Sequence, residues 1–211
     1  MVDYALKLLA CGFVCVPLSP GGRHLDLSTM GFSPLHLQTR EKKLKELCFT
    51  SIAFQLSQNP PSAETVKKWF TGFDGNIGII CGYQNLMVLD FDKPAVYQAW
   101  QKKHRALIAA TPVAKSPRGF HVYLKTAIPT VSSSLHFGFR RAGHVKALGG
   151  YVLSSPSRLK DGSTYQWLPA QSPFDVTPQT VESLQSLSLL PVSPLKAFHD
   201  RVLGKGQFEP D

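Results

Sequence analysis

Asp90 and Asp92 stand two residues apart at the end of the apolar run Leu86-Met87-Val88-Leu89, so a strand over this segment points both carboxylates to one face. Two carboxylates side by side on a rigid strand make half a site for a hard divalent cation such as Mg²⁺ or Mn²⁺, which can in turn hold a nucleoside triphosphate. The chemistry this pair suggests is phosphoryl or nucleotidyl transfer. The plainer alternative is a strand that ends in the polar turn Asp-Phe-Asp-Lys-Pro. A second polar group follows in the loop Ser116-Pro117-Arg118-Gly119 and at His121. The guanidinium fork of Arg118 suits phosphate, and a histidine directly after such a loop is placed to meet phosphate oxygens. The alternative for His121 is a hydrogen-bonded structural residue. A third stretch, from Gly143 to Ser157, contains Gly149-Gly150, which lets backbone approach a ligand closely or simply bends a strand.

These groups need elements to position them. Asp3 caps a short helix through Leu9, Gly12 ends it, and Phe13 to Leu18 reads as a strand entering the turn Ser19-Pro20-Gly21-Gly22. A charged helical piece spans Thr39 to Cys48, and another lies near Ile52 to Leu56. Pro60-Pro61 breaks the chain, Ser62 is an N-cap, and Ala63 to Phe70 is a helix with Val66, Trp69 and Phe70 turned inward. Strands Asn76 to Cys81 and Leu86 to Asp92 follow, joined by the turn Gly82-Tyr83-Gln84-Asn85. A helix runs from Pro94 to about Ala109, and a strand covers Val113 to Lys115. Phe120 to Lys125 alternates, with Phe120, Val122 and Leu124 on one face and His121, Tyr123 and Lys125 on a polar one. The stretch from Gly143 reads as strand, glycine turn, strand and serine loop, and a short strand is expected from Thr164 to Trp167. Past Ala170 the chain is rich in Ser, Pro and Leu, with helices expected at Pro178 to Leu187 and near Pro194 to Leu203. There is no internal repeat and no sign of a second domain.

Composition bounds the partners. A chain of 211 residues with 43% hydrophobic content has the proportions of one ordinary folded domain, and no apolar stretch is long enough to cross a bilayer. Met1-Val2-Asp3-Tyr4 lacks the basic start and apolar core of a secretory signal, so the expected location is cytoplasmic and no membrane partner is expected. Cys11, Cys15, Cys48 and Cys81 are scattered, with no Cys-x-x-Cys pair, which predicts buried free thiols rather than disulfides or structural zinc. The formal charge of +9 favours a polyanionic partner such as nucleic acid. Lys42-Lys43, Lys67-Lys68 and Lys102-Lys103-His104-Arg105 fall on expected helices, where solvated faces explain them. Arg140 and Arg141 lie nearer the expected site and are candidate DNA contacts.

Taken in order, these stretches resemble the bifunctional primase-polymerase (prim-pol) domains of the archaeo-eukaryotic primase superfamily, over about residues 5 to 168. The resemblance is carried by Gly12-Phe13-Val14-Cys15-Val16-Pro17-Leu18, by Val66-Lys67-Lys68-Trp69-Phe70 with Asn76-Ile77-Gly78-Ile79, and by Val88-Leu89-Asp90-Phe91-Asp92. Ser116-Pro117-Arg118-Gly119-Phe120-His121-Val122-Tyr123 is similar to the family's histidine motif, and Gly149-Gly150-Tyr151-Val152 leads to Pro156-Ser157. Each motif is weak alone; the set is specific.

The resemblance implies an α+β fold in which an RRM-like mixed or antiparallel sheet carries the site and an N-terminal α/β portion packs beside it. It implies a prim-pol domain over residues 1–170, with 171–211 as a C-terminal extension of helix and loop leading towards any further domain. The implied activity is template-dependent nucleotidyl transfer by a DNA primase and polymerase, in replication of a plasmid, phage or mobile element. Its partners would be single-stranded or primer-template DNA, dNTPs or NTPs, and a helicase domain or protein. Asp90 and Asp92 would bind Mg²⁺ or Mn²⁺ in a two-metal site, and His121 would contact the incoming triphosphate with Ser116, Arg118 and Ser157 nearby.

One position departs from the family. A third carboxylate is expected five residues ahead of the Gly-Gly pair, and His144 stands there. Imidazole suits Mn²⁺ better than Mg²⁺, which leaves an altered metal preference, a weakened domain, or a carboxylate supplied from elsewhere. Lys146, on the same strand face, matches a basic position that neutralises phosphate, with a solvated lysine as the alternative. Arg23 occupies the place of a basic residue that contacts DNA or nucleotide. The alternative function is a non-catalytic module that binds single-stranded or origin DNA. A nicking relaxase would want a nucleophilic Tyr with a His-x-His pair, and the sequence holds no such pair.

Overall fold

Residues 1–32 and 42–192 are described by a computed structural model. In chain order the elements are α1 (Val2–Ala10), β1 (Cys15–Leu18), α2 (Lys42–Gln58), α3 (Ala63–Phe70), β2 (Asn76–Ile80), β3 (Leu86–Phe91), α4 (Pro94–Lys103) and α5 (Arg105–Ala109). There follow β4 (Val113–Lys115), β5 (Phe120–Thr126), β6 (Ser133–Phe137), β7 (Arg140–Lys146), β8 (Tyr151–Leu153), β9 (Gln166–Trp167), β10 (Gln179–Val181) and β11 (Leu189–Val192). A three-stranded antiparallel sheet has the order β1-β2-β8. An eight-stranded sheet runs β11-β6-β7-β3-β5-β4-β9, and β10 adds to β5 as its single parallel pair. The fold is the expected α+β type with antiparallel sheets.

β3 is apolar at both parities, as a strand buried on both faces must be. Met87, Leu89 and Phe91 share one core with Val122, Leu124 and the inward residues Val96, Tyr97 and Trp100 of α4. Leu86 and Val88 turn the other way, into a core shared with Tyr123, the small sheet, α1 and α3. Packing of the small sheet over that second face corrects the expectation of a polar face on β5. Tyr123 is fully buried, and only His121 and Lys125 keep polar partners there. α3 forms as expected: Ser62 Oγ accepts from the Thr65 N–H at 3.2 Å, and Val66, Trp69 and Phe70 are buried.

Several boundaries differ from the expectation. Asp3 lies inside the first turn of α1 rather than at its cap, where it still favours the helix N-terminus electrostatically. The two helical pieces expected between Thr39 and Leu56 are one helix, α2, with residues 39–41 outside the described residues; the Thr50 hydroxyl donates to the Glu46 carbonyl and stays within the helical pattern. The helix expected from Pro94 to Ala109 is divided at His104, which leaves helical dihedrals while its ring packs on Trp100. The helix expected at Pro178 to Leu187 is instead β10, a single 3₁₀ turn and β11. The open edges of β5 and β6 offer backbone partners there, and Leu184, Leu187 and Leu189 enter the core. The second C-terminal helix, near Pro194 to Leu203, lies outside the described residues. All four cysteines are free; Cys15 and Cys81 are buried as expected, whereas Cys11 is exposed and Cys48 half-buried. Among the described residues no helix is long and apolar enough to cross a membrane.

Candidate active site

The site is a row across three strands. Pairing sets Asp90 of β3 opposite His121 of β5 on one side and opposite His144 of β7 on the other. One step along, Val88 stands between Tyr123 and Lys146. Alternation along β3 places Asp92 just past this row, on the same face. His121 Nε2 lies 3.3 Å from Asp90 Oδ1, and His144 Nδ1 lies 3.5 Å from Asp92 Oδ2. Arg118 bonds Asp92 Oδ1 at 2.9 Å from the loop between β4 and β5. The two carboxylates are only 22% and 24% exposed.

Two glycines let the neighbouring strands close on β3. A Cβ at Gly119 would fall 1.9 Å from the Phe91 carbonyl oxygen, and one at Gly143 would fall 1.9 Å from that of Asp90. Gly143 sits at a bulge, where the β6–β7 register shifts between Leu135 and His136. The extra residue reverses the alternation of β7, so that Ala142 and Val145 both face the α4 core while Arg141 turns to the site face. Arg141 there donates to His144 Nε2 at 3.0 Å, since a guanidinium can only donate.

Electrostatics separate the titrating groups. Burial pushes the Asp90 carboxyl up, but its hydrogen bond and charge interaction with His121, joined by Lys146 and His144, outweigh this and hold it below its ordinary value. Burial pushes His144 down, Lys146 and Arg141 add to that, and Asp92 and Asp90 offset only part of it. Asp90 is therefore ionised and His144 neutral near neutral pH. His121 Nδ1 is buried with no hydrogen-bond partner among the described residues.

The row forms one wall of a cavity of about 610 Å³, a volume suited to a small-molecule ligand. Asp90, His121, His144, Lys146, Arg118 and Arg23 all line it, which brings together six of the residues singled out in the sequence. The remaining ones are placed elsewhere. Asp92 lies beside the row under Arg118, and Arg141 touches His144 from the hairpin side. Ser116 accepts from the Gly119 N–H at 3.1 Å and so shapes its loop. Ser157 Oγ accepts from the Ile77 N–H and donates to the Ile77 carbonyl, which commits its hydroxyl to β2. Arg140 is exposed near the hairpin turn, off the cavity.

Sequence reading missed the aromatic side of the cavity. Tyr165 packs 5.4 Å from the His121 ring, His24 stacks on Phe49 at 5.4 Å, and Tyr151 completes that lining. The strand expected from Thr164 to Trp167 is only Gln166–Trp167, with Thr164 in an isolated bridge to Arg158, so Tyr165 lies just ahead of β9 and not on it. The ring it meets was not legible either.

A divalent cation fits the donor chemistry here: two ionisable carboxylates share one face, beside an uncharged imidazole. As placed, no three His, Cys, Asp or Glu side chains among the described residues converge on one point. Arg118 balances Asp92, and His144 offers Nε2 only when Arg141 releases it.

Fold and site together define an α+β protein whose main sheet presents an acidic strand between two histidines over a basic cavity. Residues 5–180 match the family described as bifunctional DNA primase/polymerase, N-terminal, and the chain belongs to it. Comparison with curated proteins finds no match.

Proposed function

We propose that this chain is a DNA primase/polymerase that transfers nucleotides from dNTPs or NTPs along a single-stranded or primed DNA template. The observation that carries this reading is the register that sets Asp90 between His121 and His144 in a cavity also lined by Arg23, Arg118 and Lys146. Asp90 and Asp92, with His144, would hold Mg²⁺ or Mn²⁺. When bound, the cation supplies positive charge that activates the attacking hydroxyl and neutralises the leaving pyrophosphate. The protein's own part is positioning. His121 donates to the Asp90 carboxylate and keeps it ionised and aimed, and it stands at the cavity surface where a triphosphate oxygen would arrive. Arg23, Arg118 and Lys146 provide the cations that a triphosphate needs, Arg118 by exchanging its bond to Asp92 for one to phosphate. The mobile-element setting and a helicase partner belong to the same proposal.

The test is primer extension on a single-stranded template with Mg²⁺ or Mn²⁺, alongside oligonucleotide binding. Asp90→Asn and Asp92→Asn remove charge while keeping shape, so incorporation should vanish with either change while binding and the folded circular dichroism spectrum persist. Extension at the unaltered rate in both variants defeats the metal assignment. The second reading, a non-catalytic module that binds single-stranded or origin DNA, is favoured by the Arg118–Asp92 ion pair and by His144. It predicts no incorporation in either metal and undiminished DNA binding.

A further inference from the structure

We propose that the tip of the β6–β7 hairpin is a stacking platform for an unpaired base of the template strand beside the site, with Phe139 as the platform. The inference rests on the nucleic-acid part of the preceding reading and adds to it a residue and a place. Phe139 is 106% exposed, and no aromatic ring among the described residues pairs with it. It stands in a two-residue turn between paired Phe137 and Arg140, with Gly138 at φ 57° in the first position, as a type II′ turn requires. The turn is a rigid mount: the hairpin strands pair on both sides of it, and Phe137 packs against the core beneath. The ring is therefore held out into solvent by a fold that could have placed any residue there.

The surroundings choose the partner. Arg140 and Arg141 follow the ring directly and are exposed, and Lys103 Nζ sits 5.1 Å from the Phe137 ring centroid on the neighbouring helix. From Ser133 to Lys146 the hairpin contains no Asp or Glu. A lone exposed ring among cations matches a base flanked by phosphates, since base faces stack on aromatics while Arg and Lys track the backbone. Bases within a duplex already have both faces covered, so the occupant is single-stranded. Phe139 and the 54%-exposed Leu190 of the neighbouring β11 are too little apolar surface to suit a lipid bilayer or a hydrophobic protein partner.

Geometry links the tip to the chemistry. The bulge at Gly143 turns Arg141 onto the site face, where it reaches His144. One residue of the basic tip thus touches the row that holds Asp90. Phe139 and His144 are separated by at most about 17 Å, at ~3.4 Å per strand residue, which a single strand spans with at most about five nucleotides when it keeps the ~3.4 Å stacked spacing and with fewer when extended. The platform would meet a template base about that far from the reacting position.

The experiment uses the whole chain and a fluorescein-labelled single-stranded oligonucleotide, followed by anisotropy without nucleotide or metal. Phe139 supports no buried contact, so its substitution leaves the fold intact, and an unchanged thermal midpoint checks this. Phe139→Ala should weaken binding by about 5- to 150-fold, the loss of one base–aromatic stack, and Phe139→Trp should retain it. The salt dependence should be unchanged in Phe139→Ala, but its log–log slope should fall by roughly 0.7 in each of Arg140→Gln and Arg141→Gln. A 2-aminopurine moved through the first five or so unpaired template nucleotides beyond the primer terminus should be quenched at one of these positions by the unaltered chain and at none by Phe139→Ala. Unchanged affinity in Phe139→Ala, or equal losses in the Ala and Trp variants, overturns the proposal. So does co-sedimentation with anionic phospholipid vesicles that depends on Phe139 while oligonucleotide binding does not. A chain that incorporates no nucleotide yet loses DNA on Phe139→Ala keeps this inference and defeats the nucleotidyl-transfer reading; normal incorporation with Phe139-independent binding does the reverse.

Discussion

A neutral imidazole at His144 changes what the acidic strand can hold. Burial, Lys146 and Arg141 keep the ring uncharged against the pull of Asp92 and Asp90, so the site offers two carboxylates and an uncharged nitrogen donor where a third carboxylate is expected. Such a set favours Mn²⁺ over Mg²⁺. We expect nucleotide incorporation by the unaltered chain to be markedly Mn²⁺-dependent, and His144→Asp to raise the Mg²⁺-supported rate on a primed template. Equal initial rates in the two metals for the unaltered chain, measured side by side, would show that no third acidic ligand is needed or that one comes from another residue. The sequence marked this residue only through its place ahead of Gly149-Gly150. Asp90 and Asp92 reach it from β3 and its end, and Arg141 of its own strand reaches it only through the bulge, so no spacing along the chain encodes these partners.

At the scale of elements, β3 is the part on which the site depends, and its neighbours approach it closely only because Gly119 and Gly143 lack side chains. A methyl at Gly119 would lie 1.9 Å from the Phe91 carbonyl oxygen, a backbone atom in the middle of the sheet. Strand β3 or the Ser116–Gly119 loop must shift to admit it, and overpacking of this kind costs about 1–3 kcal/mol. Gly119→Ala should therefore lower the denaturant midpoint with an unchanged m-value, and should also depress incorporation because Asp92 and Arg118 move together. A midpoint equal to that of the unaltered chain would mean that the loop yields freely. Glycine at these two positions stood in plain view in the sequence, but a bend, a bulge and a close approach all select the same residue. Only the strand packed against each one tells them apart.

For the molecule as a whole, the question is where the folded unit ends. β10 pairs with β5, β11 pairs with β6, and the Trp100 Nε1 donates to the Leu187 carbonyl at 2.9 Å. Leu184, Leu187 and Leu189 are buried in the core beneath the main sheet. A chain truncated after Ala170 exposes that core and leaves two sheet edges unpaired, so it should express insolubly or melt well below a chain that ends at Val192. Comparison of the two by circular dichroism melting decides it. Matching midpoints would restore Ala170 as the boundary of the unit and make 171–192 an appendage.

The sequence alone determined what depends on near neighbours along the chain. The period of two put Asp90 and Asp92 on one face, Ser62 capped α3, and the apolar runs announced β2, β3 and β5. β6 was missed because Ser133-Ser134-Leu135-His136-Phe137 has too few apolar residues to declare a strand; it becomes one by pairing between β7 and β11. Gln179-Thr180-Val181 became a strand for the same reason, since β5 offered an unpaired edge. Tyr123 looked like part of a polar face until the small sheet covered it. The union of His121, Asp90 and His144 likewise belongs to register. Sequence period says which side chains share a face of one strand, whereas the residue that stands opposite is set by backbone pairing between strands distant in the chain, and one bulged residue on β7 was enough to turn Arg141 from the core to the site.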